Sequence, residues 1–280
     1  MAVQVRPLET IVRRAPLGLR FQDLARGLDV TDGLGVSAWP IGSLPPGAAA
    51  ERSPLSGIYG FRTLDGLRDY EIGLRPASDW CVPADAGVPN FVVQVEDRRQ
   101  RFLPQAMRLC LPREHVVTVP LFSAPGRAPL PGMAAVYGQV WQRVADAPAP
   151  WPLVSVTTPE ADTYVAIGDV RGAFLLFVPY ASALPPLAGD PGHGSGPIDQ
   201  LTWPLTVTVA CRPATQTAIP GAAAPDIGSL LAQAGAQLYA TAGGPAAATI
   251  TRTLHFGQDL LLATDGLAPP AQSRLLIDPA

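Results

Sequence analysis

The 280-residue sequence contains no lysine; all 20 of its basic residues are arginine. That absence removes whole classes of chemistry. A Walker A loop needs its lysine on the nucleotide phosphates, and Schiff-base and pyridoxal-phosphate enzymes need the ε-amine. Charge is scarce in general, at 15% of residues where about 25% is usual. With a net charge of −3 and no arginine-rich stripe, nucleic acid is not an expected partner.

Cysteine and histidine are equally sparse. Cys81, Cys110 and Cys211 are odd in number and show no C-x-x-C spacing, so the expectation is three small buried hydrophobes rather than a disulfide framework or a zinc site. The three histidines, His115, His193 and His255, form no H-E-x-x-H pattern. No metal, cofactor or small-molecule ligand is expected on these grounds. The first residues lack the apolar core of a secretory signal. The longest uncharged stretch, 227–251, is broken by Gln233, Gln237, Gly243, Gly244 and Pro245, so no membrane span is expected. Synthesis and assembly in the cytoplasm follow as the expectation.

Glycine (27) and proline (32) are abundant, and hydrophobic residues make up 48% of the chain. The first observation argues against long helices and the second against disorder. Low charge also suggests a surface that meets other protein.

Periodicity is clearest in the middle third. Phe91, Val93 and Val95 alternate with Val92, Gln94 and Glu96, which predicts a strand with one wholly apolar face. Further strands are predicted at 102–111, 116–119, 134–144, 153–157, 164–168, 172–180 and 205–211, separated by proline and glycine turns. This spacing means a β-sandwich over 90–212. Residues 1–80 read as a turn-rich β region, in which Asp32-Gly33 marks a small hairpin or tight loop. Residues 213–280 read as a linker, a short helix running from an Asp226 N-cap through Leu238, and three short strands. The fold class is therefore mainly β: a central immunoglobulin-like or prealbumin-like sandwich, a turn-rich N-terminal arm and a small α/β C-terminal region.

Candidate chemistry is thin. Ser195 lies in Gly192-His193-Gly194-Ser195-Gly196, but a G-x-S-x-G elbow needs glycines where His193 and Pro197 stand, and a helix after the turn. The carboxylate pairs Asp29 with Asp32 and Asp65 with Asp69 suit acid-base work only at a fixed separation. Asp32 and Asp65 each precede a glycine and have a plainer role in a turn. No catalytic residue is assigned.

Two resemblances add to this reading. The segment from Tyr164 to Tyr180, with Asp169 and Gly172 in a D-x-x-G turn between two apolar strands, resembles the prealbumin-type, carboxypeptidase regulatory-like sandwich. In that family the two strands form a hairpin, and the modules are not catalytic. Over most of the chain, Gly18-Leu19-Arg20-Phe21, Val30-Thr31-Asp32-Gly33-Leu34, Ser53-Pro54-Leu55-Ser56-Gly57-Ile58-Tyr59-Gly60-Phe61, Leu64-Asp65-Gly66-Leu67-Arg68, Arg101-Phe102-Leu103-Pro104 and Pro120-Leu121-Phe122-Ser123-Ala124-Pro125 are similar to proteins encoded with extracellular contractile injection systems, which are phage-tail-like particles. The resemblance implies a structural or accessory part, with other particle subunits as partners and release as part of an extracellular particle. The baseplate or particle end is the position guessed. Tyr59, Phe61, Arg62, Leu67 and Arg68 are the expected interface patch, aromatics and arginines being common anchors. A carbohydrate-binding sandwich using Trp39, Trp80 or Trp203 is the alternative.

Overall fold

In the computed structural model, residues 13–81, 87–180 and 201–280 are described. The chain is mainly β, with two short α-helices among the described residues. The strands β1 Gly18–Asp23, β2 Leu28–Asp29, β3 Leu34–Pro40, β4 Ala48–Ala49, β5 Glu51–Arg52, β6 Tyr59–Gly60, β7 Phe91–Asp97, β8 Gln105–Leu109 and β9 Val117–Leu121 build a first sandwich. One sheet runs β2-β1-β6-β5 with β9 parallel to β1, and the facing sheet runs β4-β3-β7-β8. Alternation makes the core. Leu19 and Phe21 of β1, Tyr59 of β6 and Leu121 of β9 meet Val36 of β3 and Phe91, Val93 and Val95 of β7. Each large side chain buried this way contributes roughly 1.5–3 kcal/mol.

The second sandwich contains β10 Met133–Gln142, β11 Ala147–Pro148, β12 Leu153–Thr157, β13 Thr163–Ile167, β14 Ala173–Pro179, β15 Thr202–Ala210, β16 Gln237–Tyr239, β17 Ala246–Ala247, β18 Ile250–His255, β19 Leu260–Leu262 and β20 Arg274–Asp278. Its long strand β10 pairs with β14 on one edge and with β19 and β20 on the other. The opposing sheet runs β13-β12-β15-β18. Val136, Val140, Phe174 and Leu176 face Val154, Val156, Val207 and Val209 across a core that also takes in Leu262, Leu275 and Ile277.

Sheet pairing crosses the boundaries read from the sequence. Strands β7 and β8 join β3, and β9 joins β1, so the 90–121 segment completes the N-terminal sandwich. Strands β19 and β20 join β10, and β16 joins β20, so the C-terminal segment is part of the second sandwich rather than an appendage. The physical reason is edge pairing: short, glycine-punctuated strands satisfy their backbone groups only by joining a distant partner. The strand expected over 102–111 is shorter, with Phe102 instead in an isolated bridge to Ser123.

Three local expectations also change. The helix after Asp226 is a single turn, α2 Ile227–Leu231, and Leu238 lies in β16. Asp226 occupies the N-cap position, but its carboxylate accepts from the Arg108 backbone N–H at 3.0 Å and does not cap the helix. The Asp169–Gly172 turn forms, with Asp169 Oδ1 accepting from the N–H groups of Arg171 and Ala173 at 2.8 and 3.0 Å. The strands it joins do not pair as a hairpin. β13 enters one sheet and β14 the other, so the turn arches across the sandwich. Gly172 has φ +76°, and a Cβ there would lie 2.3 Å from the Val140 carbonyl oxygen. The Asp32-Gly33 turn likewise passes from β2 in one sheet to β3 in the other, as a tight loop.

Cys81 and Cys110 form a disulfide, with Cα atoms 5.8 Å apart, which corrects the expectation of three free thiols. An odd total leaves one cysteine over without preventing a pair. That one is Cys211, whose burial pushes its thiol up to about 11.

Between the sandwiches, Arg127 ties the two together. Its guanidinium is bonded to both oxygens of Asp23, and both side chains are almost fully buried. It also lies 4.8 Å from the ring of Phe102 and 5.5 Å from that of Phe177, one from each side of the junction. Leu103 and Phe122 pack with Ile167 and Leu230 beside it. Further along, Ile219 inserts between Trp39, Val92 and Ala106.

Candidate functional site

The expected interface patch divides when placed in the fold. Tyr59, Phe61 and Leu67 are buried in the first core, where Tyr59 stacks edge-on against Phe21 at 5.3 Å. Burial pushes the Tyr59 phenol above its ordinary value. Their apolar bodies close a sandwich and are not available to a partner, which corrects that part of the patch. Arg62 and Arg68 are exposed. Arg68 sits on α1 Arg68–Glu71, and Arg62 pairs with Glu51 at 2.7 Å.

Arg62 nonetheless marks a real surface feature. It lines a groove of about 780 Å³ with Arg13, Arg14, Arg52, Arg113 and His115, and the acidic residues among its described lining are Glu51 and Glu114. The groove follows from the local chain path. The lead-in to β1, the β5–β6 turn and the segment before β9 converge at one end of the first sandwich, and each brings its own arginines. Half-buried Ile58 gives its floor an apolar patch. Exposed Val116 adds an apolar edge. The signal available in the sequence was arginines at three separated positions; what was missing was their convergence.

Elsewhere in this sandwich several carboxylates pair with arginine. Asp32 meets Arg99 at 2.8 Å and Arg101 at 3.5 Å, and Asp29 meets Arg20 at 3.8 Å, so this carboxylate pair is engaged by arginine. The Asp97 side chain is wholly covered. Burial opposes its charge, but bonds from the Arg101 guanidinium and from the N–H groups of Arg99 and Arg101 outweigh that and hold its carboxyl below the ordinary value. Asp65 and Asp69 flank a glycine turn with φ +81° at Gly66. Among the described residues, no group of three or more His, Cys, Asp or Glu gathers into a cluster that could hold a metal. His193 and Ser195 lie outside the described residues.

Of the tryptophans considered for sugar stacking, Trp39 is buried under Ile219, at the edge of a small cleft. Trp80 is covered by the Arg75 guanidinium at 4.6 Å and abuts Tyr70. Trp203 lines a separate cleft in the second sandwich. A platform of several tryptophans is therefore not assembled.

Neither a family model nor a curated protein matches the chain. Among solved structures, the Bacillus anthracis TIE protein is 9% identical, with 87% of this chain and 44% of that one covered and a TM-score of 0.20. The chain thus spans less than half the length of that protein, and a likeness of this size carries no argument about fold or function. No helix among the described residues is long and apolar enough to cross a membrane.

Proposed function

We propose that the protein is a non-enzymatic docking component of a phage-tail-like contractile particle, held there by an acidic segment of a neighbouring subunit lying in the arginine-lined groove. The observation that carries docking is the groove itself: a large, open, positively charged cleft with an apolar patch in its floor on a chain that is acidic overall. Arginine suits this role because its planar guanidinium binds carboxylates in pairs of bonds and loses little hydration on burial. The particle comes from the sequence resemblance. Release to the outside of the cell accords with the Cys81–Cys110 bond, since structural disulfides persist mainly in oxidising surroundings.

The test is to purify particles from cells carrying the contractile-particle genes and to look for this chain by mass spectrometry. Docking predicts co-sedimentation with the particle, and at least a ten-fold loss in the Arg52→Glu, Arg62→Glu double variant. A particle fraction that lacks the wild-type chain overturns the proposal. So does a charge-reversed variant that is retained as well as wild type.

A further inference from the structure

In the second sandwich another opening has the reverse character. It lies between the two sheets of the second sandwich, with a volume of about 350 Å³ and a floor made by the core residues Val178, Leu205 and Leu254. Tyr180 and Trp203 make aromatic walls, their ring centroids 6.4 Å apart. Phe256 packs against both, at 4.9 and 6.3 Å, with planes inclined by 47° and 50°. Tyr164 completes the lining.

The rim is acidic. Glu160 and Asp162, on the β12–β13 turn, line the opening, and among the described residues neither carboxylate meets an arginine or a hydrogen-bond donor. No described arginine or histidine lines it either. Burial, and then Asp162 and Glu160, raise the Tyr164 phenol above its ordinary value.

Electron-rich ring faces beside unpaired carboxylates favour a cation over a neutral guest, because both the ring quadrupole and the carboxylate charge attract it. An apolar floor additionally favours a cation that carries its own methylene or methyl groups. We propose that this mouth binds an alkylammonium cation. The chain has no lysine, so the cation comes from another molecule. A small quaternary ammonium compound and the side chain of a partner's lysine share this chemistry.

Calorimetric titration of the full chain with choline chloride, at constant ionic strength, tests the assignment. The expected result is saturable binding near the millimolar range. The neutral isostere 3,3-dimethyl-1-butanol is expected to bind at least ten-fold more weakly, and the Glu160→Gln, Asp162→Asn double variant to lose at least ten-fold for choline. Both substitutions lie at exposed turn positions, and an unchanged melting temperature shows that the fold is retained. A parallel titration with Nα-acetyl-lysine methylamide separates the sources: stronger binding of choline assigns a free quaternary ammonium, and stronger binding of the lysine amide assigns a partner's side chain. Absence of saturable binding by both cations overturns the proposal. Equal binding of the neutral alcohol, or of glucose, overturns it as well. These outcomes do not depend on the arginine groove.

Discussion

The two sandwiches share an architecture and divide the chemistry. Fifteen of the twenty arginines and thirteen of the twenty-three acidic residues precede Met133, leaving that part at +2 and the remainder at −5. The first sandwich has short strands and charge networks at its turns, such as Asp97 with Arg101 and Asp32 with Arg99. The second has the two longest strands, β10 and β15, and a nearly uninterrupted aliphatic core. The lesson is that the same fold can be closed in two ways: by tying loops with buried arginine-carboxylate bonds, or by extending strands until backbone ladders and apolar area suffice. The openings follow the same division, one lined by arginine and one by rings and carboxylates.

The largest effect is expected where the two halves meet. Arg127→Ala would leave Asp23 charged and buried without its partner, at a cost of about 3–5 kcal/mol in urea unfolding. Replacing both residues together, as Asp23→Leu with Arg127→Met, should recover most of that loss because no charge is then stranded. A single variant within 1 kcal/mol of wild type would show that the junction does not depend on this pair.

Next comes a position in the second sandwich where the backbone decides. Gly172→Ala combines a left-handed φ with a Cβ pressed onto the Val140 carbonyl, and about 2–4 kcal/mol of destabilisation is expected. A thermal melt of the purified variant checks it. Gly66→Ala is the control: it shares the positive φ but has open space around the new carbon, so its cost should be smaller.

Acid should cost the first sandwich more than the second. The Asp97 carboxyl is held below its ordinary value of 3.8, so its contribution is present above that pH and is lost as pH falls through the lower, folded value. Asp278, bonded by Arg143 and Tyr239, is shifted in the same direction. It lies nearer the surface, at 29% side-chain exposure against 0% for Asp97, so its bonds are more screened. Asp97→Asn should cost about 2–3 kcal/mol at neutral pH and Asp278→Asn roughly 1 or less. Both differences from wild type should shrink below pH 4. A gap that stays constant down to pH 2 would contradict the assignment.

How far the sequence led depends on whether local or distant residues hold the answer. Strands such as Phe91–Asp97 and Leu153–Thr157 were legible because period-2 alternation is a local property. Their partners were not. Nothing near Phe91 says that it faces Pro40, and nothing near Gln139 says that Arg274 lies beside it. The D-x-x-G turn was legible from Asp169 and Gly172, but whether its flanking strands pair or part depends on the sheets that receive them. The site shows the same limit. Phe61 and Arg62 adjoin in sequence, yet one points into the core and the other into the groove, and a run of aromatic and arginine residues reads identically for both. The Cys81–Cys110 pair needed the fold to bring β8 beside the chain at Cys81.

The smallest effect tests whether the junction is polar by need or by accident. Arg127 and Asp23 satisfy each other there, but Gln105, on β8 and only 3% exposed, has an amide whose oxygen and nitrogen both lack a hydrogen-bond partner in the protein. It borders Phe122, Trp151, Ile167 and Leu230, an apolar surround in which an unpaired amide costs about 1–3 kcal/mol relative to a paired one. Gln105→Met keeps the length of the side chain and removes both polar atoms. The variant should therefore be neutral or up to about 1 kcal/mol more stable, opposite in sign to Arg127→Ala at the same junction. Urea unfolding of the two variants side by side makes the comparison. If Gln105→Met were to destabilise by more than 1 kcal/mol, the amide would have to be satisfied in solution, and Gln105 would be a polar anchor of the junction beside Arg127.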